Sequence, residues 1–163
     1  MPRLFNVCCW LLFSASSTIA SAQDYLTVQR TVEVERSADA AWARFGDFCA
    51  AGELLDLTCT IDSGDGGVGT IRRFNGVTVE PMVSRTPYSY TYSQIEGGRA
   101  NTDYHGTLAV EPIGESRSRI IYTLVIDRSR LPAGTDLADY QRTMEDRFQG
   151  VVDRAKELLE NPA

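Results

Sequence analysis

Tyr90, Tyr92, Tyr104 and Tyr122 stand at alternating positions among apolar residues, where a phenol can hold a ligand oxygen or position a proton. Tyr90 and Tyr92 share one face of a strand. Tyr104 aligns with Leu108 and Val110, and Tyr122 with Ile120, Leu124 and Ile126, so these side chains are expected to point inward. The other use of such phenols is to fill core space and hydrogen-bond to backbone. Charge enters the same region through Arg72. In a two-residue hairpin at Asn75-Gly76, Phe74 opposes Val77 and Arg72 opposes Val79, which turns Arg72 toward the apolar interior. That register sends Ile71, Arg73, Thr78, Glu80 and Met82 to the opposite face, with Arg73 able to pair with Glu80; a bulge would reverse the assignment. Arg30 falls on the apolar face of the first strand, where a charge needs a partner or water. His105, the one histidine, has the opposite parity to Tyr104 and is expected on the outer face with Asp103 and Thr107. Turned inward, it would be a general base near neutral pH. No serine or cysteine has a recognisable nucleophile setting.

Two spacings exclude chemistry rather than suggest it. Gly64 to Gly69 matches G-x-G-x-x-G, but a dinucleotide site needs a helix after the glycines, whose N-terminus holds the pyrophosphate. Thr70-Ile71-Arg72-Arg73-Phe74 follows instead and reads as strand, so the segment is expected to be a flexible turn. Asp62 and Asp65 lack the ligand spacing of a calcium loop. No cofactor and no metal are expected.

The elements that must position these residues begin after the N-terminus. Met1 to Ala22 carries an early Arg3, an apolar stretch from Val7 to Phe13 and a small-residue run ending Ala20-Ser21-Ala22, the pattern of a secretory signal peptide cleaved near Ala22. The apolar stretch is far short of the roughly 20 residues of a spanning helix, so no stable membrane insertion is expected. A periplasmic or secreted location follows, with residues 23–163 as one domain. Cleavage removes Cys8 and Cys9 and leaves Cys49 and Cys59 in a compartment that permits disulfides. A metal site or reactive thiol would also use two cysteines. However, His105 cannot complete a Cys/His zinc set, so a Cys49–Cys59 disulfide is expected. The formal charge of −6 and the single lysine, Lys156, give no reason to expect nucleic acid as a partner.

In the domain, Tyr25 to Glu35 alternates as a half-buried strand. Ser37 is placed to cap a short helix carrying Ala40, Ala41, Trp42 and Phe45, which Gly46 ends, and Phe48 to Leu57 reads as a second short helical segment. Strands are expected over 58–62, 70–74, 77–85, 88–95, 102–112 and 117–128. From Leu137 to Leu159 apolar residues, Phe148 among them, recur at helical spacing, with Asp136 or Thr135 as cap. Seven antiparallel strands, two short helices and one long terminal helix predict an α+β fold in which a curved sheet grips that helix.

Ser37-Ala38-Asp39-Ala40-Ala41-Trp42 through Gly46-Asp47-Phe48 resembles the first-helix motif of the START-like (Bet v 1-like) superfamily, in its polyketide cyclase/dehydrase and lipid-transport branch. The likeness continues through Gly69-Thr70-Ile71-Arg72, Asn75-Gly76, Glu80-Pro81-Met82, Tyr104-His105-Gly106-Thr107-Leu108, Tyr122 and the long helix, and departs after Phe48 at Cys49-Ala50-Ala51-Gly52. The resemblance implies a helix-grip fold around an elongated apolar cavity, and its pattern places an Arg and a Glu at Arg72 and Glu80. It implies an exported binder of a small hydrophobic ligand (lipid, polyketide, isoprenoid or aromatic), with Arg30, Arg72, Tyr90, Tyr92, Tyr104, Tyr122 and Phe148 as candidate ligand-binding residues. An alternative is a cyclase, dehydrase or hydrolase without metal or nucleotide cofactor, in which Arg72 stabilises enolate charge and Tyr104, Tyr122 or Glu80 moves protons. A further alternative is an accessory protein that binds an exported partner through Glu33, Glu35, Asp103 and Glu111.

Overall fold

A computed structural model describes residues 24–161. The expected signal peptide, with Cys8 and Cys9, lies outside the described residues. The alternation of the first segment forms β1 (Tyr25–Val34), with Leu26, Val28 and Val34 buried. Ser37 caps α1 (Ala38–Phe45) by accepting a hydrogen bond from the Ala40 amide at 3.2 Å. α1 stops at Gly46, where a Cβ would lie 2.6 Å from the Trp42 ring and carbonyl. The second helix, α2 (Ala51–Leu55), is shorter than the expected 48–57. Asp56 takes a left-handed conformation at φ 55°, and the Leu57 amide closes on the Gly52 carbonyl at 2.9 Å.

The remaining strands are β2 (Cys59–Ser63), β3 (Ile71–Phe74), β4 (Thr78–Thr86), β5 (Ser89–Ser93), β6 (His105–Pro112) and β7 (Ser118–Asp127). Together with β1 they form one antiparallel sheet of order β1-β7-β6-β5-β4-β3-β2, a meander whose first strand lies beside its last. Bulges between Ile61 and Ser63 and between Met82 and Ser84 break the register and bend the sheet. β5 ends before the expected Ile95 because that segment turns back to bridge Val79 through Glu96. β6 begins after the expected Thr102, because residues 100–102 form a tight turn and Asp103 is left-handed at φ 50°.

The Asn75-Gly76 hairpin departs from the expected register. Both residues have positive φ, and the Val77 amide closes the turn on the Phe74 carbonyl at 3.0 Å, as in a two-residue loop. Val77 is then extruded as an extra residue, 66% exposed, so that Phe74 pairs with Thr78 and Arg72 pairs with Glu80 rather than with Val79. Glu80 therefore shares the inward face with Arg72. Arg73 pairs not with Glu80 but with Asp62 at 2.7 Å and Glu96 at 3.3 Å.

α3 (Leu137–Glu160) has 24 residues. It is about 36 Å long at the usual rise per residue. Asp136 caps it, accepting from the Ala138 and Asp139 amides at 3.0 Å. Met144, Phe148, Val151, Val152, Ala155 and Leu159 bury its apolar stripe against β1 and β7. The result is the α+β helix-grip architecture. No helix among the described residues is long and apolar enough to cross a membrane.

Cys49 and Cys59 form a disulfide across a separation of 10 residues, tying the chain before α2 to the start of β2. Closing a loop of that length restricts the unfolded chain by about 2.5–3 kcal/mol at room temperature. Reduction, or Cys59→Ala with Cys49→Ala, is expected to lower the stability read from urea unfolding by about that amount. A loss well under 1 kcal/mol would mean that the loop is already restrained in the unfolded chain.

Candidate functional site

Arg72 reaches the interior because β3 alternates, and the extrusion of Val77 brings Glu80 to the same face. Arg72 is 0% exposed and Glu80 only 4%, so both charges depend on protein partners. The pair is compensated by geometry. Arg72 Nε and Nη2 both donate to Glu80 Oε2, at 2.9 and 2.7 Å, and Nη1 donates to the Phe48 carbonyl at 2.6 Å. Aromatic rings enclose the guanidinium, with the Phe48, Tyr92 and Phe74 centroids 4.1, 4.3 and 4.7 Å from its carbon. Burial raises the Glu80 carboxyl above its ordinary pKa, and Arg72 and Gln94 pull it part of the way back.

The other carboxylate oxygen, Glu80 Oε1, accepts from Gln94 Nε2 at 3.3 Å, and Gln94 Oε1 accepts from the Arg99 amide at 2.6 Å. The segment between β5 and β6 is thus tied to the ion pair. Beside it the phenols of Tyr92 and Tyr122 share a hydrogen bond at 2.8 Å, and those of Tyr92 and Tyr104 approach to 3.4 Å. Gly106 permits this arrangement. It sits opposite Tyr92 in the β5–β6 ladder, and a Cβ there would come within 2.3 Å of the Tyr92 ring and hydroxyl. Desolvation pushes Tyr104 up to about 12 and Tyr90, Tyr92 and Tyr122 above the ordinary phenol value. The phenols therefore stay protonated at neutral pH and act as neutral donors rather than bases.

A cavity of about 60 Å³ lies against this network. That is room for about four waters. Sheet residues Phe74, Thr78, Glu80 and Tyr92 line it together with Gln94, Tyr104 and Arg99; Leu55 and Leu57 face it from α2 and the turn after it, and Arg147 and Phe148 from α3. The lining is as polar as it is apolar, and the space is smaller than the elongated apolar cavity that the resemblance implies. Of the residues singled out from sequence, Glu80, Tyr92, Tyr104 and Phe148 line it. Arg72 lies one shell behind. Tyr122 packs on Phe148 with ring centroids 4.8 Å apart, and Tyr90 packs on Phe48 at 5.3 Å. Arg30 is elsewhere: it pairs with Glu145 of α3 at 2.7 Å.

His105 lies on the outer face of β6, where Nδ1 is 3.0 Å from the Asp103 carbonyl. It lines an open depression of about 330 Å³ with Asp103, Arg130 and Ser93. The residues that sequence reasoning missed are Arg99, Arg147, Gln94, Thr78, Leu55 and Leu57. The one usable signal was for Arg147, which stands three residues after Met144 and four before Val151 and so flanks the apolar stripe of α3.

Residues 25–160 match the family model described as polyketide cyclase / dehydrase and lipid transport. No significant match to a curated protein is found. Among solved structures, a Thalictrum flavum norcoclaurine synthase point mutant in complex with a transition-state analogue is 22% identical, with 86% of this chain and 98% of that one covered and a TM-score of 0.65. The Zhui aromatase/cyclase from Streptomyces sp. R1128 is 16% identical, with 84% and 94% covered and a TM-score of 0.64. A protein from Nitrosospira multiformis is 18% identical, with 82% and 96% covered and a TM-score of 0.67. At these identities the likeness is one of fold.

The ion pair yields a prediction with a defined pH dependence. Arg72→Met leaves Glu80 buried without its cation and is expected to cost about 3–5 kcal/mol at neutral pH. Losing Arg72 raises the Glu80 pKa further, so the folded state binds its proton more tightly than the unfolded state. The electrostatic part of the cost therefore vanishes below the ordinary carboxylate value of 4.5, grows as pH rises from there to the raised value, and is constant above it. Urea unfolding of Arg72→Met and of Arg72→Met with Glu80→Leu across this range reads it. A deficit in the single variant that did not shrink in acid, or that the second substitution did not reduce, would show that Glu80 is not its source.

Proposed function

The chain belongs to the polyketide cyclase/dehydrase and lipid-transport family, and from that premise we propose that it binds a small, largely apolar ligand in the cavity beneath α3. The observation that carries this reading is convergence. Glu80, Tyr92 and Tyr104 bring an acceptor and two neutral donors to one space whose other walls are Phe74, Phe148, Leu55 and Leu57. Placed polar groups set against apolar walls are what fix the orientation of a small molecule in its site. With room for only a few atoms inside, one end of the ligand fills the cavity and the rest lies in the mouth between half-buried Leu57 and exposed Arg147. Carriage outside the cytoplasm is part of the proposal. The leader-like sequence of Met1 to Ala22 and the Cys49–Cys59 disulfide support it, because disulfides persist in oxidising compartments.

A catalytic reading has one observation in its favour, the elevated carboxyl of Glu80 beside protonated phenols, which suits proton transfer to and from a bound ligand. In that reading Glu80 is the group that accepts the proton, the phenols being held neutral. Recognition of a protein through the acidic outer face has less support, since Glu33, Glu35 and Glu111 are already paired with Arg117 and Arg119.

A neutral fluorescent probe, naphthalene-methanol, tests the binding reading. Leu57→Trp places a large side chain in the mouth without touching the ion pair. It is expected to weaken probe binding by about tenfold or more, equivalent to about 1.4 kcal/mol, with the melting temperature unchanged. Undiminished binding in Leu57→Trp, or no binding to the unsubstituted protein, would overturn the reading.

A further inference from the structure

The arginines of this acidic chain are almost all committed. Within the described residues each pairs with a carboxylate, as Arg117 does with Glu33 and Glu35, or donates to backbone carbonyls, as Arg36 and Arg85 do. Arg99 and Arg147 are the exceptions, and both line the same cavity. Among the described residues no carboxylate lies within ion-pair reach of either. Arg147 is exposed on α3 and makes no hydrogen bond among the described residues. The Arg99 side chain has only the Met144 sulfur at 3.5 Å and the Tyr104 ring at 5.6 Å, and its Nε is buried without a hydrogen-bond partner.

Two unmatched guanidinium groups on one small cavity have a consequence for what enters it. Glu80 also faces the space, but Arg72 balances its charge at 2.7 Å. Glu145, the nearby acid on α3, is held by Arg30. The cavity mouth therefore keeps two guanidinium groups with no carboxylate paired to either among the described residues, Glu80 acting on Arg99 only at longer range, and Arg99 Nε is a buried donor that no protein atom satisfies. A buried unpaired donor is costly, and an ionised acceptor is the partner that removes that cost. Guanidinium geometry favours a carboxylate, which accepts two parallel N–H donors.

We propose that the ligand of this cavity is an anion: a small apolar molecule bearing one carboxylate, held at the mouth between Arg99 and Arg147, with its apolar part toward Phe74 and Phe148. The inference rests on the cavity being the binding site, as argued above, and adds the charge class of what it binds. It also assigns a role to the segment between β5 and β6, because Gln94 positions the Arg99 backbone from the Glu80 side.

Naphthoate and naphthalene-methanol form a matched pair, differing only in the charged group, and titration of the full domain with each separates the two claims. Naphthoate is expected to bind about tenfold or more tightly than the alcohol, in line with charge-assisted hydrogen bonds to arginine. Arg147→Gln, on the exposed side of α3, is expected to remove most of that preference, the affinity for naphthoate falling more than that for the alcohol. Arg99→Gln should do the same, Arg99→Lys should restore part of the preference, and Arg36→Gln should leave it intact. If both probes bind equally and the arginine variants change neither, the anionic assignment is overturned while the cavity remains the binding site. If neither probe binds, both fall together.

Discussion

The Arg72–Glu80 ion pair is the constraint on which the rest of the site depends. A guanidinium with no exposure in the middle of a sheet is tolerable only when its charge is paired and its nitrogens find acceptors, and here Nε, Nη1 and Nη2 each do so through partners from separate parts of the chain. Glu80 must face Arg72 across β3 and β4, which requires Val77 to be extruded from the hairpin. The Phe48 carbonyl must turn inward, which places the link between α1 and α2 and sets Cys49 on the far side, where it reaches Cys59. Phe48, Phe74 and Tyr92 must present ring faces, so the aromatic content of this end of the core is electrostatic as well as apolar. Replacing such a pair by apolar residues is often neutral for stability. Its presence is therefore better explained by what it positions than by what it stabilises.

What it positions is Glu80 Oε1, the one carboxylate oxygen left free of Arg72, and through it Gln94 and the Arg99 backbone. The tyrosines stand on the same wall but answer to a different force. Their hydroxyls bond mainly to one another, and burial keeps them neutral. A cavity wall of neutral donors around one acceptor selects for an oxygen-bearing ligand. Unmatched arginines at the mouth add a sign to that selection.

The strands, both short helices and α3 were legible in the sequence because each follows its own period, two for the sheet and 3.6 for α3. Inward placement of Tyr90, Tyr92, Tyr104 and Tyr122 followed from the same parity. The β3–β4 register was not legible. Asn75-Gly76 specifies positive φ at both positions, and the loop obeys it, but whether the next residue pairs or bulges is decided by the tertiary demand of Arg72 for Glu80. Arg99 was hidden for another reason: it follows Gly97-Gly98 in a segment with no period, so nothing local says which way it faces. Arg30 misled because an apolar-face position marks burial and not a partner, and the partner it found, Glu145, belongs to α3 rather than to the cavity.

The two walls of the cavity are unlike in a way that bears on its small volume. The polar wall carries Glu80 and Tyr92, fixed in the sheet ladder, and Gln94 just after β5, whose backbone amide bonds to the Tyr104 carbonyl; all three belong to the polar network, and displacing any of them would strand a buried polar group. The facing wall is built from Leu55, Leu57, Phe148 and the aliphatic stem of Arg147, which meet the cavity through apolar groups. Apolar contacts are non-directional and can be remade after a shift of a side chain or of the α2–β2 turn, whereas the hydrogen-bonded wall has one low-energy arrangement. Enlarging the cavity to admit a bulkier ligand therefore falls to α2, its turn and the mouth-facing side of α3, and leaves the polar groups where they are. The chemistry of recognition and the capacity for size are thus assigned to opposite walls.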